Sequence, residues 1–204
     1  SIKCHGVGSV EEYMRIHGIG VIHGGTNSLR YTPHFAITSA EVDLLVEAME
    51  HIVKNRDDVL FALIGYPIDR VKGEVDRRGI KDRVILPGEV DYSDLKKWLA
   101  GADLAVDPKP SGSGEASGKV LHYMAAGLEV VCFDTDNNRT FLGDSGFFAT
   151  AESSAELAAA IDLALTDEEV RRKYGAFCRS KAESEFSSDT AGQQLDRLYQ
   201  QYEK

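Results

Sequence analysis

Ser111 to Gly127 reads SGSGEASGKVLHYMAAG, a small, glycine-rich loop running into an amphipathic helix. Leu104-Ala105-Val106 before it and Val130-Val131-Cys132-Phe133 after it are apolar runs of the kind buried in parallel sheets. The loop therefore follows the carboxyl end of a strand, which is where open α/β sheets bind their ligands. Glycines let backbone amides approach a guest closely, a helix N-terminus carries roughly half a positive charge, and Lys119 adds a full one in the first turn. The stretch reads as an anion cradle, with phosphate as the expected guest. An ordinary βα turn would account for the glycines alone; the coincidence of loop, helix entry and Lys119 favours a ligand. Along the helix, Leu121, Met124, Ala125 and Leu128 follow core spacing, while Lys119 and His122 share another face, free to look into a cleft.

Outward from this stretch, strand and helix patterns alternate from about residue 19, the signature of βαβ units with right-handed crossovers. Strands are expected at Ile19 to His23, Val59 to Ile64, Val84 to Pro87, Leu104 to Asp107, Val130 to Phe133 and Phe147 to Ala149. Helices are expected at Ser39 to Lys54, Asp69 to Arg78, Tyr92 to Ala100, Gly118 to Ala126 and Ser154 to Leu165. Two further amphipathic helices span Asp167 to Lys204, with Phe186, Leu195, Leu198 and Tyr199 as apolar anchors against the sheet. The fold class is α/β: a doubly wound, mostly parallel, Rossmann-like six-stranded sheet with helices on both faces. Residues 1–18 fit no place in the alternation and read as an interdomain or N-terminal segment, leaving 19–204 as one domain. Trp98, in a Leu95-Trp98-Leu99 stripe, is assigned to the core, and Glu41, Glu47 and Glu50 to a solvated helix face.

The 204 residues are 43% apolar, enough for a sizeable core. The net charge of -10 excludes a protein that wraps nucleic acid, which needs a basic face; a single phosphorylated ligand needs only local cations. Cys4, Cys132 and Cys178 are odd in number and lack a CxxC pair, so neither a disulfide framework nor a zinc site is expected. The Cys4-His5 pair has no second pair at ligand spacing. A reducing, cytoplasmic setting fits best. No signal peptide is recognised, and no apolar run nears the roughly 20 residues that span a bilayer.

The run KVLHYMAAGLEVVCFDTDNNRTFL resembles the donor-binding signature of group 1, family-4-type retaining glycosyltransferases of the GT-B fold, and DRVILPGEVDYSDLKKWLAGADLAVDP resembles the strand, helix and strand that precede it. The resemblance spans most of the chain. It implies that the chain is one half of a GT-B fold, the C-terminal domain that holds a nucleotide-diphosphate sugar. The acceptor-binding N-terminal domain would be missing from this chain, and any attachment to the inner membrane surface would belong to it.

By the same resemblance, Gly112, Gly114, Ser117, Gly118 and Lys119 receive the diphosphate, and backbone around Gly88 borders the base. The family's usual two glutamates, eight positions apart, do not appear: His122 stands at the second position, suited to a ribose hydroxyl without the carboxylate's charge, and Gly114 stands eight residues earlier. Glu115, one step off, takes the sugar-contacting role only if the loop differs by one residue. The family also presents an arginine and a lysine from the loop after the first strand. Here that loop, Gly24 to His34, offers Gly24, Gly25, Thr26 and Arg30, with no lysine between Lys3 and Lys54. Arg139 is a further candidate cation, although Asn138 and Arg139 also suit a helix start.

These readings imply transfer of a hexosyl group to a hydroxyl acceptor with retention, Glu115 and Lys119 acting at the reacting centre. No cofactor or metal is expected, since helix amides and cations meet the leaving diphosphate. The rival is a non-catalytic Rossmann-like nucleotide-binding or assembly module, in which the altered glutamate pair marks lost chemistry; another GT-B enzyme, such as a nucleotide-sugar epimerase, is a third reading.

Overall fold

The computed structural model describes residues 21–25, 28–31, 39–65, 68–111 and 117–202. The chain divides into two compact units, 1–38 and 39–204. In the first, strand β1 (Val21–Gly25) pairs antiparallel with β2 (Ser28–Tyr31), Val21 opposite Tyr31 and Gly25 opposite Ser28. This corrects the expectation of a parallel strand at Ile19 to His23 followed by a loop from Gly24. Two residues separate the strands, and a two-residue connection commits a chain to an antiparallel partner.

The second unit is Rossmann-like α/β. Its elements run α1 (Ser39–Asn55), β3 (Phe61–Ile64), α2 (Ile68–Arg77), a 3-10 turn (Lys81–Arg83), β4 (Val84–Gly88), α3 (Tyr92–Ala100), β5 (Ala105–Asp107), α4 (Gly118–Ala125), β6 (Val130–Phe133), α5 (Asp136–Leu142), β7 (Phe147–Ala149), α6 (Ser154–Thr166), α7 (Glu168–Glu185) and α8 (Ser188–Tyr202). Among the described residues of this unit all the pairings are parallel, but they form two hydrogen-bonded groups, β3–β4 and β5–β6–β7, in place of one six-stranded sheet. In register, Ala105 faces Val130, Asp107 faces Cys132 and Phe133 faces Ala149.

β6 is buried along its whole length and divides the core. Val131 and Phe133 join Ala48 and Ile52 of α1 and Leu157, Ile161 and Ala164 of α6 in one cluster. Val130 and Cys132 join Val120 and Met124 of α4, Leu142 of α5 and Cys178 of α7 in the other. Alternate residues of one strand thus face helices on opposite sides, which explains the unbroken apolar run.

Several sequence assignments shift. On α4, Val120, Met124 and the following Leu128 form the buried row, four residues apart, while Leu121 is half-buried and Ala125 exposed. Trp98 is only half-buried, because α3 contributes no buried residue. The α1 glutamates are no mere solvated face: Glu50 pairs with Lys54 at 2.7 Å and with Arg78 at 2.5 Å. Of the terminal anchors, Phe186 packs edge-to-face on Phe141 at 5.4 Å, whereas Leu195 and Tyr199 are 52% and 66% exposed.

Where α4 ends, Gly127 takes φ +75° and lets the Leu128 amide donate back to the Tyr123 carbonyl at 3.0 Å, closing the helix. Helix α7 crosses this turn at Gly175, where a Cβ would overlap the Gly127 carbonyl oxygen and lie 3.1 Å from its carbon. Only a hydrogen fits. Beside it Glu129 is 1% exposed, and neither carboxylate oxygen has a hydrogen-bond partner among the described residues. Burial pushes its pKa to about 8 from 4.5, with Arg171 opposing and Asp167 reinforcing the rise.

Two outcomes are expected in thermal or denaturant unfolding. Gly175→Ala should destabilise by roughly 1–3 kcal/mol, since the backbone must move to admit the methyl group. Glu129 is neutral in the fold and charged in the unfolded chain at neutral pH, so its contribution is full below the unfolded pKa and is lost as pH rises toward 8. Wild-type stability should therefore fall between about pH 5 and 8 more steeply than that of Glu129→Gln, and the variant should be the more stable protein at pH 8.5.

Candidate active site

The carboxyl ends of β5 and β6 carry the polar groups. β5 closes on Asp107, fully buried, whose Oδ1 accepts a hydrogen bond from Ser117 Oγ at 3.1 Å. Ser117 is the N-cap of α4, yet its hydroxyl makes no cap bond: it turns away from its own helix onto the strand end. The first amides of α4 are thereby left without a side-chain cap from Ser117, beside exposed Lys119. Burial raises the Asp107 pKa, while Lys119, the Ser117 hydrogen bond and Lys109 pull it down.

β6 closes on Phe133, and the next turn is pinned twice. Thr135 Oγ1 caps α5 by accepting from the Asn138 amide at 3.2 Å. Buried Asn138 donates through Nδ2 to the Phe133 carbonyl at 2.9 Å. Between the two strand ends lies a cavity of about 250 Å³, lined by Asp107, Lys109, Pro110, Ser111, Ser117, Thr135, Asp136, Asn137 and Asn138. Its rim is tied to the chain beyond β7 by the Ser111 amide, which donates to the Glu152 carboxylate and holds that carboxyl below its usual range.

Ser117, Gly118, Lys119 and His122 come together at the start of α4, and Lys119 and His122 are both exposed there. The His122 ring meets Tyr92 edge-on at 5.8 Å. Gly88 lies at the carboxyl end of β4, buried at φ +83°, and its carbonyl accepts from Gly65 at 2.9 Å. A Cβ there would stand 2.9 Å from Ile68 Cδ1, so this backbone position also suits only glycine. Arg139 is heavily engaged: its guanidinium grips Asp134 at 2.7 and 2.9 Å, reaches Asp144 at 3.2 Å and stacks 3.7 Å over Phe148. Gly24, Gly25 and Arg30 belong to the hairpin of the other unit. Thr26, Gly112, Gly114 and Glu115 lie outside the described residues.

Asp107, Thr135 and Asp136 join the cavity lining without having stood among the residues expected there. The available signal was a charged residue closing an apolar strand just before proline, in LAVDP. Among the described residues no group of three or more histidines, cysteines or acids could hold a metal ion, and no helix is long and apolar enough to cross a membrane.

The chain resembles known sugar-transferring proteins. It is 23% identical over 164 residues to the alpha-D-kanosaminyltransferase of Streptomyces kanamyceticus, covering 78% of this chain and 42% of that protein. Anabaena HepE, solved with UDP-glucose, superposes with a TM-score of 0.67 at 22% identity, covering 82% of this chain and 48% of that one. The C-terminal domain of a group 1 glycosyl transferase from Francisella tularensis superposes with a TM-score of 0.63 at 20% identity, covering 74% of this chain and 83% of that domain. The chain spans less than half the length of the kanosaminyltransferase and of HepE, and its fold is a Rossmann-like GT-B half. The family model for "Glycosyl transferases group 1" matches residues 32–167, about two thirds of the sequence, and the chain belongs to that family.

Proposed function

We propose that this chain is the donor-binding half of a two-domain retaining glycosyltransferase of the family-4 type, which moves a hexosyl group from a nucleotide-diphosphate sugar to a hydroxyl acceptor. The observation that carries the reading is the start of α4: a helix N-terminus without a cap from Ser117, at the carboxyl end of β5, with Lys119 in its first turn. Leaving of the nucleoside diphosphate builds negative charge on its phosphate oxygens, and amides and an ammonium held in place beforehand stabilise that charge without reorganising. Ser117, Gly118 and Lys119 are assigned to the diphosphate, together with Gly112 and Gly114. His122, three residues along the exposed face, is assigned to a ribose hydroxyl, backbone at Gly88 to the base, and Glu115 to the sugar. The relative solved with UDP-glucose makes a uridine nucleotide the first probe.

The acceptor side is assigned to a second domain, in keeping with the chain's coverage of less than half of that relative. The exposed Leu195 and Tyr199 on α8 are apolar groups that a neighbouring domain could cover. One observation favours the rival, a nucleotide-binding module without catalysis: His122 stands where the family resemblance has a glutamate. Sugar transfer by the longer natural protein distinguishes the two readings, since a binding module shows none.

Thermal unfolding with millimolar UDP, GDP, ADP and their sugar conjugates should show a selective upward shift, about 2.7 kcal/mol when a ligand stands at roughly a hundred times its dissociation constant. Lys119→Ala should weaken the preferred nucleotide about tenfold or more, the worth of a charge-assisted hydrogen bond. Arg139→Gln should lower the melting temperature of the free chain and leave the nucleotide shift in place, because Asp134, Asp144 and Phe148 already occupy its guanidinium; loss of the shift would assign Arg139 to the phosphates instead.

A further inference from the structure

Asp107 is a buried carboxylate that the diphosphate chemistry has no use for, since a carboxylate and a phosphate repel each other. It lies at the carboxyl end of β5, fully buried, with Oδ1 bonded to Ser117 and Oδ2 without a hydrogen-bond partner among the described residues. Leaving a buried acceptor unmatched is costly, more so when it is charged. Asp107 is among the residues lining the cavity at the ends of β5 and β6, whereas Glu129, which precedes β6, is not. Ser111, Ser117, Thr135 and Asn137 line the same space with hydroxyl and amide groups. At roughly 30 Å³ per water, about 250 Å³ holds some eight waters, room for a group near the size of one sugar ring.

We propose that Asp107 is a specificity-determining residue whose free carboxylate oxygen accepts a hydrogen bond from a hydroxyl of the donor's glycosyl group. The assignment rests on the donor-site reading above. It follows from what each part of such a ligand offers. The diphosphate presents only acceptors at neutral pH, which Asp107 cannot bond, whereas a sugar ring presents several hydroxyl donors. A cationic occupant is disfavoured because Lys109 and Lys119 already place positive charge near the carboxyl. A neutral hydroxyl completes the acceptor without adding charge. Ser117 couples the two subsites: its one side chain bonds the sugar-side carboxylate while its position opens the helix amides on the phosphate side.

The test compares a bare nucleotide with its conjugate in the same chain, by calorimetry or thermal shift: UDP against UDP-glucose, GDP against GDP-mannose and ADP against ADP-glucose. Asp107→Asn and Asp107→Ala are both made. Asparagine keeps the shape, and alanine removes the ambiguity of an amide that could rotate its oxygen toward the ligand. The wild type should bind one conjugate more tightly than its bare diphosphate. Asparagine, whose Oδ1 can still accept from Ser117, should weaken that conjugate roughly 10- to 100-fold and leave the bare nucleotide within about threefold; alanine, which frees the Ser117 hydroxyl to cap α4, should weaken both, the conjugate about tenfold or more beyond the nucleotide. A cooperative unfolding transition in each free variant verifies folding. Equal weakening of nucleotide and conjugate would overturn the proposal by placing Asp107 at the nucleotide, as would unchanged affinity for both. If the wild type binds no nucleotide and no conjugate, the donor-site reading itself fails, and Asp107's assignment falls with it.

Discussion

The structure depends on one strand being buried on both faces. Val130 to Phe133 sends alternate side chains into two separate cores, one against α1 and α6, the other against α4, α5 and α7. A strand with no solvated face cannot slip register without pushing each residue into the wrong core, so its partners β5 and β7 are held in a fixed frame. The ends of β5 and β6 then stand side by side, and the helices leaving them begin at neighbouring points. The polar cavity is a consequence of that arrangement, not an addition to it.

Two buried acids mark opposite ends of this sheet and show how the same desolvation serves different ends. Glu129 opens β6 beside the turn where α7 crosses Gly127, with a glycine needed for the helix to fit at all. Its carboxylate oxygens have no hydrogen-bond partner among the described residues, and burial pushes its pKa up to about 8. Asp107 closes β5 where the frame is open, with cations close by and a space large enough for a ligand. The first is a group the fold tolerates; the second is one a ligand can complete.

Local pattern was legible and long-range partnership was not. Val130–Phe133, Phe147–Ala149 and Tyr92–Ala100 fall at the residues expected from sequence, because apolar runs of strand length and a helix stopped by Gly101 are decided by neighbours along the chain. The short helix Asp136–Leu142 escaped as an element because DNNRTFL carries two asparagines and less than two full turns of apolar period. Leu195 and Tyr199 read as anchors from their spacing, yet spacing says only that a face is apolar, not what covers it. That Ser117, Lys119 and His122 lie together was legible, since they share one loop and one helix. Asp107 was not, since its importance lies in a bond across ten residues and in what fails to bond its second oxygen.

A net acidic chain is compatible with the proposed anion site, because range decides which charges a ligand feels. At physiological salt, exposed charges beyond about 8 Å are largely screened, so most of the net -10 acts weakly at the start of α4. What acts there is Lys119 and a helix end that Ser117 leaves uncapped by bonding Asp107. Asp107 is an acid close by, and the geometry turns it to use: its Oδ1 draws the Ser117 hydroxyl off the helix, and its burial discourages the charge that would repel a phosphate. A carboxylate beside an anion site is thus compatible with anion binding so long as it is matched by donors, first Ser117 and then the ligand. That condition ties affinity for the charged part of a ligand to the hydroxyls carried by its neutral part.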